Sequence, residues 1–208
     1  MWVNFYRAVV WLLTLVYKVV WCRVTVLGRE NIPRDGRGYI LCANHLSNVD
    51  PILLAVSDHR QIIHFMGKEE LFRSPFLRAI FRRLGGFPVR RGQGDTGAIK
   101  HAIELIQGGG VLGIFPEGTR SKDGQPLRPK SGIALIAGET GADLLPCGIW
   151  YERGGPRFRG RVVLRYGRLI THEELAYAGR SAGELKRISR LVMDEIVALT
   201  GPEREGER

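Results

Sequence analysis

Short apolar runs alternate along this chain with stretches of helical periodicity, and that alternation predicts most of the elements. Residues 39–42, 61–66, 111–115 and 144–150 are apolar or nearly apolar runs of strand length, the pattern of strands covered on both faces. Residues 23–28 alternate with the two-residue period of a strand, residues 87–89 read as a short strand and residues 161–169 as a further one. A helix opens at Asp50-Pro51 and runs through residues 52–56, with Asp50 as its N-cap and Pro51 at the first helical position. Asp95 caps a helix over residues 96–107 that stops at Gly108-Gly109-Gly110. Residues 133–139 form another, and over residues 182–199 Leu185, Ile188, Val192 and Ile196 share one helical face. Residues 31–38 and 122–129 are turn-rich loops. Strands alternating with helices predict an α/β fold. The expectation is a single domain over residues 23–200 with a mostly central mixed β-sheet flanked by helices, then a charged tail over residues 201–208.

Two stretches depart from that pattern. Residues 1–22 form the most apolar part of the chain, yet only ten residues separate Arg7 from Lys18. A bilayer span needs about 20. Trp2, Trp11, Tyr17 and Trp21 beside Arg7 and Lys18 suit a helix lying in the membrane interface. A signal peptide fits less well, because no small-x-small cleavage site follows; a buried core helix is the alternative. Residues 69–84 carry Phe72, Phe76, Leu77, Ile80 and Phe81 among Arg73, Arg78, Arg82 and Arg83, broken by Pro75. This basic amphipathic stretch suits a membrane surface, an acidic carrier protein, or simply solvent.

Composition narrows the partners. The 208 residues carry a net charge of +10, which favours an anionic partner: a phosphorylated substrate, an anionic lipid or a nucleic acid. No nucleic-acid motif appears and the arginines are not interleaved with aromatics on a recognisable platform, so a nucleic acid is not expected. Cys22, Cys42 and Cys147 are widely spaced and odd in number, which predicts neither a disulfide framework nor a metal site and fits a reducing compartment.

The candidate chemistry lies on two loops. His45 follows the strand at residues 39–42, with Asp50 five positions on. A carboxylate folded back onto an imidazole makes a general base for a substrate hydroxyl. On spacing alone, a lone His on a loop is more often a plain polar loop residue, and Asp50 can be only a helix cap. Gly118, Thr119, Arg120 and Ser121 follow the strand at residues 111–115, and a glycine, two hydroxyls and an arginine after a strand make a phosphate cradle.

Four stretches stand in one order: Asn44-His45 with Asp50, then Gly86-Phe87-Pro88-Val89-Arg90-Arg91, then Phe115-Pro116-Glu117-Gly118-Thr119-Arg120-Ser121, then Leu145-Pro146. Together they resemble the glycerolipid acyltransferase family, in its bacterial 1-acyl-sn-glycerol-3-phosphate acyltransferase branch. The resemblance covers residues 39–150. It implies a membrane-associated enzyme that moves an acyl group from an acyl thioester to the free hydroxyl of lysophosphatidate. His45 would then deprotonate that hydroxyl and Asp50 would orient the imidazole. Arg91, Gly118, Thr119 and Arg120 would hold the acceptor phosphate, with Glu117 shaping the loop or the acceptor site. Direct attack needs no acyl-enzyme, so Cys42 is a poor nucleophile. The resemblance implies no metal and no cofactor beyond the donor substrate, acyl-coenzyme A or acyl carrier protein. It places the protein on the cytoplasmic face of the cell membrane, on an anionic surface. Arg90 stands where family members often carry an acid, which leaves the division of labour between Arg90 and Arg91 open. The same chemistry on glycerol 3-phosphate or a lysophospholipid remains an alternative, as does a non-catalytic protein binding anionic lipid or nucleic acid.

Overall fold

The computed structural model describes Tyr6 and residues 22–58, 60–89 and 95–203. The expected N-terminal interfacial helix (Tyr6 apart), the Arg90-Arg91 pair and the end of the charged tail lie outside the described residues. In chain order the elements are β1 (Cys22–Leu27), β2 (Tyr39–Ala43), α1 (Asp50–Ser57), β3 (Ile63–Lys68), α2 (Pro75–Arg83), β4 (Phe87–Val89), α3 (Thr96–Gln107), β5 (Val111–Ile114), α4 (Gly132–Thr140), β6 (Leu144–Tyr151), β7 (Gly160–Tyr166), α5 (His172–Leu175) and α6 (Ala182–Leu199). The strands form one sheet in the order β1-β7-β6-β2-β5-β3-β4. Every pair is parallel except β6 with β7. The fold is therefore α/β with a central mixed sheet flanked by helices, as the alternation predicts.

The central strand is the most apolar for a physical reason. All five residues of β2 are buried, because helices or loops cover the sheet on both sides there. Ile40 and Cys42 point into one cluster with Leu112 of β5, Ala102 and Ile106 of α3, Ile133 and Ile136 of α4, and Ile188, Val192 and Ile196 of α6. Tyr39, Leu41 and Ala43 point the other way, against Leu53 and Leu54 of α1, Leu145 and Ile149 of β6 and Val162 of β7. Each large aliphatic side chain taken fully out of water contributes roughly 1.5–3 kcal/mol, so the two clusters hold β2 from both sides. Tyr6 is buried against Val56 of α1, with Ile62 and Leu84 packed beside it.

Most predicted boundaries hold within a residue or two, and the stretch at 69–84 does break at Pro75. A 3-10 turn, Glu69–Phe72, precedes it, and Ser74 caps α2 by accepting from the Leu77 N–H. Two features differ. The strand expected over residues 161–169 ends at Tyr166: the Gly167 N–H still donates in register to the Pro146 carbonyl at 2.9 Å, but Pro146 has no N–H to return, and Ile170 then bridges Leu144 one residue out of register. The short helix α5 was not predicted, although Thr171 and Glu174 form a reciprocal capping box at its start. Among the described residues no helix is long and apolar enough to cross a membrane.

Candidate active site

Parallel pairing brings the two candidate loops together. Strands β2 and β5 lie side by side with Cys42 opposite Ile114, so the loops that leave their C-terminal ends emerge at one level. Crevices at the carboxyl ends of strands are where open α/β sheets bind ligands. Asn44 fixes the first loop to the sheet. Its side-chain amide donates to the Ile149 carbonyl at 2.9 Å and accepts from the Ile149 N–H at 2.7 Å, continuing the β2–β6 ladder one residue past the strand.

His45 and Asp50 meet. The imidazole Nδ1 lies 2.9 Å from Asp50 Oδ2, and both residues are buried, Asp50 completely. The same oxygen accepts the Leu46 and Ser47 N–H groups at 2.7 Å each, and Asp50 Oδ1 accepts the Tyr151 hydroxyl at 2.6 Å. All partners of the carboxylate are donors, so the His45 nitrogen facing it carries a proton, and in the neutral imidazole Nε2 is then the basic nitrogen. Nε2 has no partner among the described residues. The imidazole stacks on Phe115 with ring centroids 4.0 Å apart, and Phe115 stacks on Phe65 in turn. The expected N-cap role of Asp50 is corrected here: Val49 is the N-cap, and Asp50 is already in the helix. Its carboxylate turns back to the preceding loop because three N–H donors and a hydroxyl converge there, which leaves α1 without a side-chain cap.

The second loop is built around a buried acid. Glu117 Oε1 accepts the His45 backbone N–H at 3.1 Å, and Oε2 accepts the Leu127 N–H at 3.3 Å. Burial pushes the Glu117 carboxyl above the ordinary carboxylate range, opposed by those two N–H donors and by the nearby His45. The Ser121 N–H donates to the His45 carbonyl at 2.9 Å, so the two loops are tied at main chain as well. Gly118 turns with φ +69° and donates to the Phe115 carbonyl at 3.0 Å, a left-handed conformation that favours glycine. Glu117 thus anchors the loops and faces away from the open crevice, while Gly118, Thr119 and Arg120 are exposed.

Two cavities meet at His45, Met66 and Phe115. The larger, about 470 Å³, is lined by Pro51, Ile52, Phe65 and Phe72 and has Arg120 in its wall. The smaller, about 180 Å³, is lined by Val89, Ile99, Ile114 and Ile133, with Gly118 and Lys130 in its wall. The predicted residues therefore divide. His45 and Asp50 come together, Arg120 faces one cavity and Gly118 the other. Thr119 borders neither, and Arg91 lies outside the described residues. Sequence reasoning missed Tyr151, which ends an apolar strand a hundred residues from its partner, and the stacking role of Phe115. Lys130-Ser131-Gly132 also fits the resemblance, but sequence reasoning assigned Lys130 no role; it borders the smaller cavity beside Gly118. Cys42 is buried and its thiol is pushed far up by burial, as expected of a core residue.

Comparison with known proteins agrees with the resemblance. The sequence profile of the Acyltransferase family matches residues 23–150. A 1-acyl-sn-glycerol-3-phosphate acyltransferase of Bacillus subtilis is 32% identical over 156 residues, covering 74% of this chain and 77% of that protein. The protein of the same name from Borreliella burgdorferi is 26% identical over 180 residues, covering 84% and 70%. The crystal structure of the 1-acyl-sn-glycerophosphate acyltransferase PlsC from Thermotoga maritima superposes with a TM-score of 0.70 at 30% identity, covering 95% of this chain and 79% of that one.

Proposed function

This chain belongs to the acyltransferase family, and from that membership we propose that it acylates 1-acyl-glycerol 3-phosphate with an acyl thioester, giving phosphatidate in phospholipid synthesis. The observation that carries the reading is the His45–Asp50 pair at the junction of two apolar cavities, with Arg120 in the wall of one. His45 Nε2 takes the proton of the acceptor hydroxyl as its oxygen attacks the thioester carbonyl carbon. The C–O bond forms, the C–S bond breaks, and the proton passes from His45 to the departing thiolate. Asp50 holds the imidazole in the required tautomer and balances its charge when it is protonated. Tyr151, Leu46 and Ser47 keep that carboxylate in place.

Arg120 binds the acceptor phosphate. It is exposed and makes no ion pair among the described residues, so its guanidinium is available for a charge-assisted contact. The lysolipid chain lies in the larger cavity among Ile52, Phe65 and Phe72. Phe81 of α2 lines that cavity, and the same helix carries Phe76, 71% exposed, and Leu77, 42% exposed, between arginines. That face rests on an anionic membrane surface at the cytoplasmic side, and the lysolipid enters from it.

Purified protein supplied with labelled acyl-coenzyme A and lysophosphatidate in vesicles is expected to yield labelled phosphatidate. Turnover of glycerol 3-phosphate or a lysophospholipid with none of lysophosphatidate would overturn the acceptor assignment. No product from any of these acceptors, with either acyl-coenzyme A or acyl carrier protein as donor, would overturn the reaction.

A further inference from the structure

A second concave surface adjoins the smaller cavity at Lys130. It is a groove of about 530 Å³ between the loop at residues 128–131 and helix α6. Arg128, Lys130, Lys186 and Arg190 line it, and no acidic residue does. None of the four makes an ion pair or a side-chain hydrogen bond among the described residues, whereas Arg180 at the rim is engaged by Glu139. Four cations facing one concavity whose lining holds no acid raise the local potential there and attract a compact polyanion.

The groove is built rather than incidental. Ser189 of α6 is buried with its hydroxyl 2.8 Å from the Leu185 carbonyl of its own helix and 3.2 Å from the Lys130 carbonyl, so its one O–H is shared between them and the loop sits against the helix. Helix α4 begins at this point. Its N-cap, Ser131, makes no side-chain cap, so the first-turn N–H groups of α4 add partial positive charge beside the cations. Leu185 and Pro129 supply apolar wall. Lys130 connects the groove to the chemistry, because it also borders the smaller cavity that contains His45.

We propose that this groove binds the phosphorylated nucleotide of a coenzyme A thioester, with the pantetheine arm passing Lys130 so that the thioester reaches His45. The proposal rests on the acyl-transfer reading above and adds its donor site. Acceptor and donor then approach His45 from opposite sides, one by Arg120 and one by Lys130. The size favours a nucleotide over a carrier protein: the cations converge in a pocket of small-molecule volume instead of spreading over a protein-sized face.

The test combines kinetics with binding. Lys186→Glu with Arg190→Glu is expected to raise the KM for acyl-coenzyme A at least about tenfold, since charge-assisted phosphate contacts are lost and repulsion is added. The KM for lysophosphatidate and sedimentation with anionic vesicles should not change. Arg153→Glu, on the β6–β7 turn, is the charge-matched control for the single variant Arg190→Glu and should leave the donor KM alone. Adenosine 3′,5′-bisphosphate, which carries no acyl chain, should compete with acyl-coenzyme A. Its binding, followed by calorimetry, should be lost in the double variant and in the milder Lys186→Ala/Arg190→Ala. An unchanged donor KM, an equal effect of Arg153→Glu, or an effect confined to vesicle binding or to acyl carrier protein as donor would overturn the groove assignment. Wild-type protein that binds the nucleotide yet acylates no acceptor would leave the groove standing and remove the proposed reaction.

Discussion

The loops that follow β2 and β5 leave the same edge of the sheet, yet they are made in opposite ways. The first is closed in on itself: His45 and Asp50 are buried, and Asp50 accepts from two backbone N–H groups, an imidazole and a hydroxyl. The second is closed at its root by Glu117 and open at its tip, where Gly118, Thr119 and Arg120 are exposed. The difference separates two jobs. A proton-transfer group works only if its orientation is fixed before substrate arrives, whereas a phosphate-binding arginine keeps its donors free for the ligand. Residues of the first loop should therefore affect turnover and folding together, and those at the tip of the second should affect binding alone.

Asp50→Asn should show the largest effect that also reaches stability. The amide presents one acceptor oxygen where two serve four donors, so turnover should fall about 10²-fold or more and stability by about 2 kcal/mol. Paired rate and denaturation measurements check both. A normal rate with lowered stability would return Asp50 to a purely structural role. Arg120→Ala should come next. One lost charge-assisted contact predicts a roughly tenfold rise in the KM for lysophosphatidate with the melting temperature unchanged, and a shift in donor KM alone would break the contrast between the loops. Tyr151→Phe should be milder, lowering stability by about 1 kcal/mol and turnover a few-fold, because three donors to Asp50 remain.

Glu117 offers the smallest and most discriminating effect. Its carboxyl titrates above the usual 4.5 of a glutamate, so between that value and its folded value the native state holds a proton that the unfolded chain has lost. Its contribution therefore makes stability fall as pH rises through that window. Comparing wild type with Glu117→Gln across pH isolates the contribution; parallel curves would contradict it.

What could be read without the structure was what lies close together along the chain. The apolar runs that become β2, β5 and β6 are visible because a strand covered on both faces needs no polar positions. The pairing of His45 with Asp50 is legible because five residues can close one short loop. Contacts between distant segments were not legible. Tyr151 reaches Asp50 only because β6 pairs with β2, and Lys130 meets Ser189 only because α6 packs over α4 and the sheet. Asp50 looked like a helix cap because Asp before Pro commonly is one. The converging loop donors, which outbid the helix for its carboxylate, belong to the folded loop and leave no mark in the local sequence.

The central claim is that His45 is the base on an acceptor hydroxyl, and His45→Ala measured against wild type tests it most directly. With labelled acyl-coenzyme A and lysophosphatidate in vesicles, the account predicts a fall in turnover of about 10²- to 10⁴-fold, while the variant still folds and still binds both substrates. Turnover within a few-fold of wild type would contradict it.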